Sequence, residues 1–125
     1  MSRLWWTLGP AMAGLAVALG AFGAHGLKGR VTADLLEVFH TGARYHRYHA
    51  LALIAVAVAD RSFPSTTVTA AGWAFVVGIV LFSGSLYAMT FTGHRWLGAI
   101  TPLGGLAFIT GWALLAWSGA NQIQG

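Results

Sequence analysis

Charged side chains are scarce in this sequence. Asp, Glu, Lys and Arg make up 8% of its 125 residues, against about 25% in ordinary soluble domains. A water-soluble domain with so few charges could not cover its surface, whereas a hydrophobic share of 57% suits a lipid environment. The length allows one domain, and it limits the number of membrane spans because each crossing helix takes about 20 apolar residues.

Cysteine is absent, which excludes disulfides, thiolate metal sites and a cysteine nucleophile. Acidic residues number only three, too few for the carboxylate-rich di-iron bundles that Glu37-x-x-His40 superficially matches. Neither G-x-S-x-G nor H-E-x-x-H occurs, so the motifs of serine hydrolases and zinc proteases are missing. The basic residues stand at the ends of apolar runs, so the net charge of +4 does not indicate a nucleic-acid partner.

Long apolar runs take the place of the missing charges. They predict an all-α, integral membrane four-helix bundle that forms one domain over residues 1–125. The second run is purely apolar only over residues 50–59, so its crossing requires Tyr45, His46 and His49 to lie within or near the membrane. The predicted spans are about residues 4–26, 45–60, 67–91 and 96–118.

The ends of the first two spans carry further signals. A signal peptide is the alternative for the first run, but its length favours an uncleaved helix. Residues 32–43, with Thr32 as N-cap and acids in the first turn, predict a short interfacial amphipathic helix between spans one and two. Basic residues predict cytoplasmic loops one and three, with both termini outside. That side has Lys28, Arg30, Arg44, Arg47 and Arg95, and the other has Arg3 and Arg61.

Small residues form candidate contact faces on spans one, three and four. Glycines recur at every third position from Gly20 to Gly29, a spacing that keeps them near one face of a helix. Such faces let another helix approach closely in a membrane. The candidate packing residues are Gly20, Gly23, Gly26, Ser83, Gly84, Ser85, Gly104 and Gly105.

Polar side chains concentrate around loop one and the start of span two. The spacing of Tyr45, His46 and His49 places His49 on one helical face with each of the other two. His25 ends span one on the same membrane side, so His25 and His49 could meet across the bundle. The candidate polar cluster is His25, Glu37, Arg44, Tyr45, His46 and His49.

This cluster has three interpretations. The first is metal or haem ligation by His25, His46 and His49, although their spacing is not specific for it. The second is a proton or ion pathway, because ionisable groups inside a membrane are functional candidates by default. The third, which we prefer, is structural: polar tips at a helix end reach the headgroups and fix the interfacial helix on the bundle. We predict no catalytic residue and no cofactor.

Several segments resemble a known family. They are GAFGAHGL at residues 20–27, HALAL at 49–53, LFSGSLY at 81–87 and TPLGG at 101–105. Together they are similar to the small membrane proteins catalogued as domain of unknown function 423, whose relatives include transmembrane protein 256. The resemblance implies four spans, an uncleaved first helix and, for a bacterial member, the inner (plasma) membrane. It implies no catalytic residue, because the family has no established activity.

Two functional hypotheses follow. The preferred one is a small non-enzymatic membrane protein with an accessory, assembly or lipid-interacting role. Its partners would be membrane lipids and a larger membrane complex or further copies of the chain. The alternative is a ligand-, metal/haem- or ion-handling membrane protein that uses a histidine cluster at the cytoplasmic ends of spans one and two.

Overall fold

The regular structure is helical throughout the described range, which confirms the all-α prediction. The computed structural model describes residues 2–124, without the side chains of the last two. A π-helical turn joins α3 to α4, and a 3₁₀ segment precedes α5. The elements are α1 (Ser2–His25), α2 (Ala33–Ser62), α3 (Thr66–Gly78), the π turn (Ile79–Ser83), α4 (Gly84–Thr92), the 3₁₀ segment (Arg95–Ala99) and α5 (Thr101–Gln124).

Within residues 2–124, three helical stretches are long and apolar enough to cross a membrane. They are α1, the continuous stretch Thr66–Thr92 and the stretch Arg95–Gln122, which correspond to predicted spans one, three and four. The helix α2 has 30 residues but does not belong to this group. Its middle contains two arginines and two histidines, which lower the apolar share of any window across it. The crossing of α2 therefore stays a prediction.

The helix α2 corrects one boundary of the sequence analysis. The predicted interfacial helix over 32–43 and the predicted span over 45–60 form one unbroken helix. Thr32 does cap its start, since its hydroxyl accepts a hydrogen bond from the Leu35 N–H at 3.2 Å. Gly42 does not interrupt it, so residues 46–49 lie mid-helix rather than at a helix start. A Cβ at Gly42 would lie 3.1 Å from the Tyr87 ring, so the glycine lets this ring pack closely on α2.

The helix α1 packs antiparallel along α2. A Cβ on Gly9 would lie 2.8 Å from Ile54, and a Cβ on Gly23 would lie 2.7 Å from Phe39. Ala16 lies halfway between these two contacts and is therefore level with His46. Because Ala16 is within three residues of the centre of α1, His46 and His49 lie near mid-height in the bundle.

The surface of the bundle is as apolar as its core. Exposed positions include Val17, Ile109 and Trp117, with 62%, 66% and 63% of their surface accessible. Contiguous apolar surface of this kind marks contact with lipid or with a partner protein. The largest fully buried apolar side chains are Trp5, Phe39, Phe75, Leu53, Val56 and Val68.

The two loops at one end of the bundle are joined by an ion pair. The Arg95 guanidinium in the 3₁₀ segment donates to the Asp34 carboxylate in the first turn of α2. Gly93, with a φ of 74°, ends α4 in the left-handed conformation that glycine adopts readily. Loops one and three therefore lie at the same end.

Candidate functional site

Hydrogen-bonded and stacked rings from α2, α4 and α5 meet at mid-height. We call them the interior cluster: Tyr45, His46, His49, Tyr87, Phe108 and Trp112. Nδ1 of His49 lies 2.7 Å from the carbonyl oxygen of Tyr45. The indole N–H of Trp112 donates to Nε2 of the same ring at 3.0 Å. Because a carbonyl only accepts, Nδ1 has the proton, and His49 is a neutral ring with both nitrogens engaged.

Ring contacts fix the plane of His49. It stacks on Phe108 with ring centroids 3.5 Å apart and an interplanar angle of 7°. On its own helix it stacks with Tyr45 at 6.4 Å and 13°. Since Phe108 and Trp112 both belong to α5, His49 is the tie between α2 and α5.

His46 is tied to a different neighbour. Its side chain is 2% exposed, and Nδ1 lies 2.9 Å from the hydroxyl oxygen of Tyr87 in α4. Nε2 is buried and has no partner within hydrogen-bond geometry. Through Nδ1, His46 ties α2 to α4.

Hydroxyl groups make the remaining cross-helix bonds of this region. Ser83 in the π turn donates to the carbonyl of Gly42 in α2 at 2.7 Å. The hydroxyls of Ser85 and Thr101 lie 2.6 Å apart and join α4 to α5. These bonds give partners to polar groups that cannot hydrogen-bond to water inside a bundle of apolar helices.

The predicted polar cluster does not assemble as a unit. Gly9 packs beside Ala50, and His25 lies about 24 Å further along α1 at 1.5 Å per residue. The predicted meeting of His25 and His49 is therefore wrong, because the antiparallel packing of α1 on α2 places them at different heights. Glu37 and Arg44 are both exposed and form no ion pair with each other within the described residues.

The candidate packing glycines divide into three groups. Gly23 lies against Phe39, and Gly104 lies against the backbone of Phe82. Gly26 follows the end of α1, and a Cβ there would meet the ring of Phe22 in the last turns of that helix, not a residue of another helix. At Gly20, Gly84 and Gly105 an added Cβ would meet no neighbouring atom within 4 Å, so the packing predicted there is wrong. These three positions face open space at the surface.

Two surface grooves border α2. The aromatic groove, of about 500 Å³, lies between α2 and α5 on the outer side of the interior cluster. The basic groove, of about 430 Å³, lies between α1 and α2 on the other side. The aromatic groove is lined by Tyr45, Tyr48, His49, Phe82, Gly105, Phe108, Ile109 and Trp112. The basic groove is lined by Val17, Gly20, Ala21, His40, Ala43, Arg44 and Arg47.

The positions of the histidine and acidic side chains do not favour metal ligation. Within residues 2–124, no three or more histidine, cysteine or acidic side chains converge as a metal site would require. The set His25, His46 and His49 is spread over different heights, and His49 has no free nitrogen. What the interior cluster does is hold α2, α4 and α5 in register.

Comparison with known proteins gives a consistent picture. Residues 19–105 match the family model described as Protein of unknown function (DUF423). The chain is 56% identical over 109 residues to the UPF0382 membrane protein YwdK of Bacillus subtilis, which covers 86% of this chain and 89% of that protein. It is 44% identical over 113 residues to a UPF0382 membrane protein of Staphylococcus haemolyticus, with 90% and 92% covered. No solved structure matches.

Proposed function

The chain belongs to the DUF423 family of membrane proteins of unknown function, and from that premise we propose a multi-pass, four-span protein of the bacterial inner membrane with a non-enzymatic, lipid-interacting accessory role. The observation that carries the proposal is the state of His49. The side chain best suited to chemistry has both ring nitrogens engaged and stacks on an aromatic ring. It is part of the scaffold.

The packing of α2 supports the fourth span. Its 30 residues extend over about 45 Å, against a hydrocarbon core of about 30 Å. It lies along α1 from Gly23 to Gly9 and also contacts α3, α4 and α5. A helix so enclosed by apolar helices shares their height in the bilayer. Both ring nitrogens of His49 and Nδ1 of His46 have partners in the chain, which suits polar groups in a membrane interior.

The outer surface supports the lipid-interacting role. The exposed side chains are large and apolar along most of the bundle. The aromatic groove is open to that surface and is lined almost entirely by apolar and aromatic groups, which suits an acyl chain. This surface is suited to binding. Lipids are the preferred partner, and a larger membrane complex or further copies of the chain come second.

The number of spans is the sharpest test of this proposal. Because the chain has no cysteine, single cysteines at Ala33, Ser62, His94 and Asn121 report sidedness with a membrane-impermeant maleimide. Four spans place Ala33 and His94 on the cytoplasmic side, with Ser62 and Asn121 outside. If Ser62 labels from the same side as Ala33, α2 does not cross and the proposal fails.

The accessory role has a separate test. The protein purified in a mild detergent should retain lipid or a partner protein through size-exclusion chromatography. Native mass spectrometry of the peak identifies what remains bound. A strictly monomeric species without lipid or partner counts against the accessory role even if the four spans are found.

A second candidate function rests on His46. Its buried Nε2 has no hydrogen-bond partner, which favours a bound ligand or a proton-handling step at that nitrogen. Absorbance spectra and metal analysis of the purified protein test a haem or metal, and proton flux into liposomes tests conduction. A colourless, metal-free protein with no flux above empty vesicles, folded normally as His46→Ala, ends this candidate.

A further inference from the structure

We propose that the basic groove between α1 and α2 binds the phosphate group of an anionic phospholipid. The inference deepens the lipid-interacting role and rests on the four-span placement proposed above. It concerns a surface separate from the interior cluster and from the aromatic groove.

The shape of the groove comes from small side chains. Its floor is formed by Gly20, Ala21 and Ala43, and an added Cβ at Gly20 would meet no neighbouring atom. Arg44 and Arg47 stand over this floor on one face of α2. The result is a recess of about 430 Å³ that is lined by two arginines of the same helix.

The charge in the groove has no counterpart within the chain. Neither arginine forms an ion pair with an acidic side chain of residues 2–124. Asp34 is paired with Arg95, and Asp60 lies near the opposite end of α2. The remaining acid, Glu37, lies seven residues before Arg44, about 10 Å along the helix, and forms no ion pair with it.

The height of the groove makes an external anion necessary. Arg47 lies next to His46, which is level with Ala16 near the middle of α1. A charged side chain at such a depth is expensive unless it pairs with an opposite charge or reaches the headgroups. Long arginine side chains extend toward the nearer interface. His40 continues the groove in that direction, toward the end where loops one and three lie.

A lipid phosphate fits both the charge and the opening. The guanidinium fork matches phosphate oxygens in bidentate geometry, which a point charge does not. The groove opens sideways on the apolar outer surface, where phospholipids are the surrounding solvent. The small floor gives the glycerol and upper acyl carbons a place beside the helix while the phosphate contacts Arg44 and Arg47.

The test measures lipid retention by native mass spectrometry on full-length protein from nanodiscs of equal phosphatidylglycerol and phosphatidylcholine. The variants are Arg44→Gln with Arg47→Gln, which removes the charges, and Gly20→Leu, which fills the floor and keeps them. Arg61→Gln and Gly14→Leu are matched controls, because Arg61 lies at the far end of α2 and Gly14 also has open space at its Cβ.

We expect wild-type protein to retain phosphatidylglycerol preferentially. The double variant should lose about fivefold of that preference for each arginine removed, and Gly20→Leu should lower retention while both controls leave it unchanged. Equal retention of both lipids by the wild type, or no change in either groove variant, overturns the proposal. If the double variant does not insert, Gly20→Leu alone decides it.

Two further measurements distinguish a bound lipid from the other possible occupants of the groove. Inorganic phosphate at millimolar concentration should not displace the lipid, and full displacement would assign the site to a free anion instead. A co-purifying protein lost in the double variant, with lipid retention unchanged, would assign it to an acidic partner. Cysteine labelling of Ala33 and Ser62 in the same preparation shows whether the four-span placement or the groove assignment has failed.

Discussion

At one height in the bundle, the inner and outer faces of α2 differ in whether their polar side chains have partners. On the inner face His46 and His49 are 2% and 5% exposed, and both form hydrogen bonds to other helices. On the outer face Arg44 and Arg47 are exposed and lack an acidic partner in residues 2–124. This difference indicates that polar side chains inside the bundle stabilise the fold, whereas those on the outer face are available to bind a molecule outside the chain. Substitutions on the two faces should therefore separate stability from binding.

Gly104→Ala should have the largest effect on stability. The new Cβ would overlap the backbone of Phe82 in the π turn, and backbone cannot move aside as a flexible side chain does. Overpacking of this kind costs about 3 kcal/mol or more. The measurement is the free energy of unfolding in a mixed-micelle denaturation by sodium dodecyl sulfate.

Gly105→Ala is the matched control for this prediction. The adjacent glycine has open space at its Cβ and faces the aromatic groove. Its replacement should leave the unfolding free energy within about 0.5 kcal/mol of wild type. Equal destabilisation by both variants would mean that helix propensity or insertion, and not the contact with Phe82, governs the effect.

His49→Ala should destabilise the protein by about 2 kcal/mol, because the Trp112 indole N–H loses its acceptor inside the bundle. Trp112→Phe removes the same hydrogen bond from the other side. In a double-mutant cycle the two effects should overlap by about 1 kcal/mol. The same denaturation assay measures all three variants.

Arg47→Gln provides the comparison across the helix. Arg47 is only two positions from His49 but lies on the outer face. Its replacement should leave the unfolding free energy unchanged within about 0.5 kcal/mol and lower only the retention of anionic lipid. Additive effects of His49→Ala and Trp112→Phe, or a large loss of stability in Arg47→Gln, would contradict the division between an inner and an outer face.

Local patterns in the sequence predicted much of the architecture. The apolar runs located α1, the α3–α4 stretch and α5, and Thr32 marked the start of α2. These features depend on neighbours within a few turns of helix, which is the range that composition and spacing describe.

Features that depend on how the helices face one another could not be predicted in the same way. Adjacent Gly104 and Gly105 are equivalent in sequence, yet only Gly104 contacts another helix. The partner of His49, Trp112, lies 63 residues away with no local signal. The predicted meeting of His25 and His49 is wrong because the prediction assumed that the second span begins at residue 45. The helix α2 is instead continuous from Ala33.

Ser83→Ala tests a weaker tie of the inner face. It removes the 2.7 Å hydrogen bond to the carbonyl of Gly42, and cross-helix bonds of this type average about 0.6 kcal/mol in membranes. Ser118→Ala is the control, because the Ser118 hydroxyl donates to Leu114 in its own helix. A loss in the control equal to that of Ser83→Ala would show that the measured effect is not interhelical.

The ion pair between Asp34 and Arg95 should have the smallest effect, because it joins two exposed side chains, at 67% and 58% accessibility, outside the apolar region. A double-mutant cycle with Asp34→Asn and Arg95→Gln should give a coupling of about 0.5 kcal/mol or less. That coupling should vanish at 1 M salt, where charges are screened beyond about 3 Å. Lipid retention in the basic groove should fall less under the same salt, since the bound lipid covers Arg44 and Arg47 on a surface that faces the bilayer. A salt response of equal size at both places would mean that the groove is as exposed to water as the ion pair, and that α2 does not lie at the depth proposed for it.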